Sequence, residues 1–252
     1  MSLILCIETA TKLCSVALAR EGVVLASRDL ESEKHVHAEK VNVFIDEVMK
    51  EAGLPLKELS AVAVGIGPGS YTGLRIGLSA AKGLCYALEI PIIGISTLHT
   101  LVAAARVRGA SLSGTCWPMI DARRMEVFTQ QFDANGTARA EMEPLILDPT
   151  WAQENSPATV FGDGADKALE LWANAGITVV QGVRPNASAM AQEAERRYLE
   201  KAFDDLAYLV PAYGKAANVS QPKKRTVNDH TASDRRRLTP VGPHRGTVDP
   251  HP

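Results

Sequence analysis

The chain is 252 residues long, with 46% hydrophobic and 22% charged residues and a formal net charge of −2. That length sets a prior of one large or two small domains, and the composition excludes collagen-like, disordered and membrane-spanning classes. The charge is unevenly spread: from Gly214 onward eight Lys and Arg stand against three Asp, which leaves 19 basic against 26 acidic residues in the body. An acidic body is repelled by phosphate backbones, so a stand-alone nucleic-acid binder is not expected. Aromatics at 5% argue against a base-stacking platform. The four cysteines, Cys6, Cys14, Cys85 and Cys116, form no C-x-x-C pair, which suits reduced thiols in a cytoplasmic protein. The start of the chain has no basic region before its apolar run, so it is read as a first buried strand, neither a signal peptide nor a membrane anchor.

Residues 3 to 7, 14 to 20 and 22 to 28 predict three strands, the last two joined tightly at Glu21-Gly22. Residues 38 to 52 place Val41, Phe44, Ile45, Val48, Met49 and Ala52 at helical spacing, with Gly53 and Pro55 as the stop. A strand at 61 to 66 runs into the loop Gly67-Pro68-Gly69-Ser70-Tyr71-Thr72-Gly73, followed by a helix from 74 to 88, a strand at 91 to 95 and a helix at 97 to 106. Three strands followed by α-β-α-β-α make an α/β unit with a mixed sheet, the order of one half of the ribonuclease-H-like fold of actin-type ATPases and sugar kinases. Farther on, strands are predicted at 117 to 121 and 125 to 133 around the turn Ala122-Arg123-Arg124, and an extended stretch ends near 147. A strand at 159 to 161, a helix at 166 to 175 closed by Gly176, a strand at 177 to 181 and a helix at 187 to 202 complete a degenerate second copy. The expected division is 1–110, 111–213 and a basic tail, 214–252, whose lack of apolar periodicity predicts disorder.

Two stretches carry chemistry. The glycines of the 67–73 loop, followed directly by a helix N-terminus, could bring Gly67, Gly69, Ser70 and Thr72 to an anion. The same residues also make a tight turn for close helix packing, and they match neither a P-loop nor G-x-G-x-x-G. In the following helix Gly73, Gly77 and Ala81, with Ala80 beside them, leave a stripe almost free of side chains. A contact surface is therefore expected on Val41, Phe44, Ile45, Val48, Gly73, Gly77, Ala80, Ala81 and Leu84, facing a partner or the chain's own core. In the second stretch, Arg123 and Arg124 hold an anion from outside or sit exposed with an Asp121 salt bridge. Glu8, at a strand end, positions a cation or caps its hairpin. His35 and His37 form an H-x-H pair without a third ligand, so no metal site is expected. Ser70, Tyr71 and Thr72 lack the elbow and partners of a nucleophile.

Leu5-Cys-Ile-Glu-Thr-Ala-Thr, Cys14-Ser-Val-Ala-Leu, His37-Ala-Glu-Lys, the Gly67 loop through Gly77 and Asp121-Ala-Arg-Arg-Met-Glu-Val together resemble the TsaB (YeaZ) family. The loop is the most specific of these motifs, and the resemblance covers residues 1 to about 133 best. It implies a two-domain ASKHA, actin-like ATPase fold and a non-catalytic scaffold in making the threonylcarbamoyladenosine modification of tRNA. The partners implied are a TsaD homologue and a TsaE homologue, with a homodimer as a further state and tRNA met through the complex. No cofactor is implied for this chain; ATP or ADP and metal belong to the partner subunits. The catalytic relative TsaD carries a metal-binding His-x-x-x-His pair where this chain has Thr97 and Leu101. Two rivals stand beside this reading: a small ATP-dependent kinase or ATPase using the Gly67–Gly73 loop, and an anion-binding homodimer with a regulatory role.

Overall fold

The computed structural model describes residues 1–33, 36–112 and 114–215. The expected tail, apart from Gly214 and Lys215, lies outside the described residues, as does His35. The first sheet is built from β1 (Leu3–Glu8), β2 (Leu13–Arg20), β3 (Val23–Glu31), β4 (Ala61–Gly67) and β5 (Ile92–Ser96) in the order β3-β2-β1-β4-β5. β1 pairs antiparallel with β2 and parallel with β4. All six residues of β1 are buried, because both faces of the sheet are covered. Leu3, Leu5 and Ile7 point into a core with Val41, Phe44 and Ile45 of α1 (His37–Glu51) and with Leu78, Ala81 and Cys85 of α2 (Tyr71–Leu88). The alternate residues Ile4 and Cys6 meet Ala187, Met190 and Ala194 of the last helix. The period-2 alternation of a strand thus divides one continuous apolar run between two layers of helix.

The second sheet repeats this arrangement. β6 (Thr115–Asp121), β7 (Glu126–Thr129), β8 (Glu143–Ile146), β9 (Ala158–Phe161) and β10 (Thr178–Val180) lie in the order β10-β9-β6-β7-β8. β6 pairs antiparallel with β7 and parallel with β9, as β1 does with β2 and β4. The fold is therefore α/β with a duplicated ribonuclease-H-like unit, the actin-like ATPase (ASKHA) architecture. α3 (Thr97–Val107) puts Leu98, Leu101 and Ala105 against Cys116, Ile120 and Phe161 of the second sheet. α7 (Ala187–Leu199) instead returns to the first.

Three local expectations change. α2 begins at Tyr71 rather than at 74, because Ser70 is its N-cap and accepts from Gly73 N at 3.2 Å. The extended stretch toward 147 is followed by a helix that was not expected, α4 (Pro149–Glu154), started by Asp148 accepting from Trp151 N and by Pro149 at its first turn. The helix expected at 166 to 175 is two single turns, α5 (Asp163–Asp166) and α6 (Leu169–Trp172).

Candidate docking site on the paired helices

The loop between β1 and β2 organises the ends of both outer helices. Thr9 Oγ1 donates to Gly73 O at 2.9 Å, Ser70 N donates to Ala10 O at 2.7 Å, and His37 Nε2 donates to Thr11 O at 2.7 Å. A Cβ on Gly73 or Gly77 would collide with Thr9. The small-residue stripe of α2 is thus occupied by the chain itself, as the intramolecular alternative required. Val41, Phe44, Ile45, Val48, Gly73, Gly77 and Ala81 are all buried, while Ala80 and Leu84 are partly so. Placing a partner on the buried residues has to be corrected for a physical reason: an amphipathic helix spends its strongest apolar face on its own sheet.

What α1 and α2 leave outside is a groove of about 520 Å³ along their seam. Ala38 and Asn42 line it from α1, and Tyr71, Arg75, Ile76 and Ser79 from α2, with Val41, Thr72 and Ala80 completing its wall. Of the expected contact residues only Val41 and Ala80 reach it. The others were legible in another way: Tyr71, Arg75 and Ser79 recur every fourth residue, a polar and aromatic stripe on one helix face. Among the described residues Arg75 supplies the one formal charge lining the groove, and its guanidinium carbon lies 5.3 Å from the Tyr71 ring centroid.

The glycine loop is filled rather than open. A Cβ on Gly67, whose φ is 106°, would lie 2.6 Å from Ala212 O, and one on Gly69 would strike Ala10 O. Both neighbours are carbonyl oxygens of this chain, which present negative rather than positive potential to an anion. Ser70 turns its hydroxyl to its own helix cap, and Thr72 is exposed. Arg123 and Arg124 occupy a hairpin turn with φ of 72° and 51°, and both side chains are exposed. Asp121 pairs with Lys167 instead of with either arginine, and also accepts from Arg123 N at 2.8 Å.

Glu8 is fully buried and accepts from Ala10 N at 2.8 Å and from the Thr97 hydroxyl at 3.4 Å. Burial pushes its carboxyl up to about 7, against the pull of those hydrogen bonds. It therefore takes the hairpin role. Thr97 and Leu101 are fully buried, and His99 stacks edge-on against Phe132 with centroids 4.9 Å apart. Burial likewise pushes the Cys6 thiol up to about 12 and Cys14 to about 11, far from thiolate chemistry. Among the described residues, no group of three or more His, Cys, Asp and Glu could hold a metal ion, and no helix is long and apolar enough to cross a membrane.

A family model described as TsaD, tRNA N6-adenosine threonylcarbamoyltransferase, matches residues 30–154. The tRNA threonylcarbamoyladenosine biosynthesis protein TsaB of Escherichia coli is 38% identical over 60% of this chain and 64% of its own length. TsaB of Haemophilus influenzae is 28% identical over 83% of this chain and 92% of its own. The solved structure of YeaZ from Pseudomonas aeruginosa superposes with a TM-score of 0.70 at 27% identity, covering 84% of this chain and all of that one. These likenesses support membership of the TsaB/YeaZ family. The chain spans just under two thirds of the E. coli TsaB but all of the P. aeruginosa YeaZ chain, so the duplicated two-sheet fold is common to that solved structure and to this protein.

Proposed function

We propose that this chain serves tRNA threonylcarbamoyladenosine biosynthesis as a non-catalytic subunit that docks a TsaD homologue in the α1–α2 groove. The observation that carries the reading is the groove itself: it is the exposed surface of two helices whose buried sides are already used, and among the described residues its lining holds one charge and no convergent acid, base or nucleophile. The names of the relatives supply the pathway. Buried Thr97 and Leu101, standing where a metal-binding pair would be needed, support a subunit without chemistry of its own. ATP or ADP, metal and tRNA then belong to the assembled complex, with a TsaE homologue as a further member. The carbonyl-filled glycine loop weighs against the kinase alternative.

Ser79 is exposed, lines the groove and has no part in the core. Ser79→Arg is therefore expected to weaken binding of the TsaD homologue by roughly tenfold or more, about 1.4 kcal/mol, while the melting temperature stays at the wild-type value. Undiminished co-purification of the two proteins would remove the groove from the reading. Loss of self-association with TsaD binding intact would assign the groove to a homodimer.

A further inference from the structure

Residues 200–213 turn back across the first sheet and bring Tyr213 beside Tyr71 of the groove wall. Asp204 N donates to Ile92 O at 3.0 Å, and its carboxylate accepts from Gly94 N at 2.8 Å, which satisfies the free edge of β5. Leu206 and Leu209 pack against the first core, and Lys82 Nζ of α2 donates to Ala207 O at 3.1 Å. Ala212 N then donates to Ile66 O at 2.7 Å. The next residue, Tyr213, lays its ring on Tyr71 with centroids 4.6 Å apart and an interplanar angle of 31°. Beyond it, a Cβ on Gly214 would lie 2.7 Å from the Phe128 ring, and Lys215 pairs with Glu126. The segment is fastened on both sides of the stack.

We infer that Tyr213 is a positioning residue for the docking groove. The inference rests on the docking reading above and adds a device that sets the groove's geometry. Side chains on a helix lean back over the preceding turn, and Tyr71, as the first residue of α2, has no preceding turn to lean on. Tyr213 supplies the missing wall. Tyr71 in turn holds Arg75, through the cation–π contact and through Arg75 Nη1 at 3.4 Å from the Tyr71 hydroxyl. Both residues line the groove, so the register of the C-terminal segment fixes the ring and the charge that a partner meets. Tyr213 itself is not among the groove's lining residues; it acts through Tyr71.

The test measures the dissociation constant of the full chain with its TsaD homologue for wild type, Tyr213→Ala, Tyr213→Leu and Tyr213→Phe. Stacking needs a ring and not the hydroxyl, so Ala and Leu weaken binding by roughly 3- to 10-fold, as an aromatic pair is worth, and Phe restores the wild-type value. NMR of the Arg75 Nε–H group in the unbound chain gives a second readout: its order parameter falls in the Ala and Leu variants and is restored by Phe. Wild-type affinity in Tyr213→Ala overturns the inference and leaves the docking reading standing. If wild type does not bind the homologue, the docking reading fails, and an unchanged Arg75 order parameter across the series overturns the positioning role independently.

Discussion

Glu8 ends a strand in which every residue is buried, and a Cβ on Gly65 would run into its carboxylate. A carboxyl that burial lifts from 4.5 to about 7 binds a proton more readily folded than unfolded. Its contribution to stability is thus fully present below about pH 4.5 and is lost as pH rises through about 7, an effect on the order of 3 kcal/mol. Glu8→Gln keeps a neutral side chain of the same shape. The variant should therefore show a flatter dependence of melting temperature on pH between 5 and 8, and should be the more stable protein at pH 8. Parallel curves for the two proteins would refute the protonated state. At this scale the sequence was legible in identity and not in environment. It marks Glu8 as a strand-end carboxylate, but only the fold decides that the space beside it is closed by Gly65 and Thr97. Arg123 and Arg124 are likewise visible as a bulky turn, whereas the lysine that pairs with Asp121 comes from 46 residues farther along the chain and leaves no local trace.

α2 shows how one helix combines packing and display. Its buried side approaches Thr9 so closely that a methyl group at Gly77 has nowhere to go: the Thr9 hydroxyl it would strike is buried and bonded to Gly73 O. Gly83 lies on the exposed side of the same helix, and nothing stands within 4 Å of the Cβ it lacks. Gly77→Ala should cost about 1 to 3 kcal/mol by overpacking, whereas Gly83→Ala should gain about 0.5 to 1 kcal/mol from the unfolded chain's lost freedom and better helix propensity. In thermal melts the two shifts should have opposite signs, each about 2 to 4 °C per kcal/mol at this size. A neutral Gly77→Ala would mean that helix and hairpin can separate without cost. Helices with a full apolar stripe, such as α1, were legible from spacing, as was the turn at Gly53. α4 was missed although Asp148-Pro149 is a start signal, because a six-residue helix presents too few apolar positions to make a period. α5 and α6 were merged for the converse reason, since Ala165, Ala168 and Trp172 are all buried at helical spacing across the break.

The repeated sheet order was only faintly legible, since the two copies share topology and almost no residue pattern. What the sequence could not carry is the return of the chain after the second sheet, because the residues that fix it are far apart in number. Gly182 N donates to Asp166 Oδ2 at 3.2 Å, and Ala187 N donates to Ser15 Oγ at 2.7 Å, so the crossing into α7 is tied first to α5 and then to β2. Between those ties stands Arg184, with Nη1 at 2.7 Å from Asp166 and Nε at 3.0 Å from Glu31 at the end of β3. One guanidinium thereby joins a helix packed on the second sheet to a strand of the first, which suits its planar fork better than it would suit a lysine. Its side chain is 26% exposed, that of Asp166 21% and that of Glu31 53%, so the Asp166 half should carry most of the effect. Arg184→Met keeps the apolar stem and removes both bonds; a loss of about 1 to 2 kcal/mol is expected, seen as a melting temperature lower by several degrees. Glu31→Gln gives up only the solvated half and should cost a few tenths of a kcal/mol, a difference that narrows in high salt as exposed charge is screened. If Glu31→Gln proved as damaging as Arg184→Met, the weight would lie on the exposed Glu31 pair rather than on the Asp166 half.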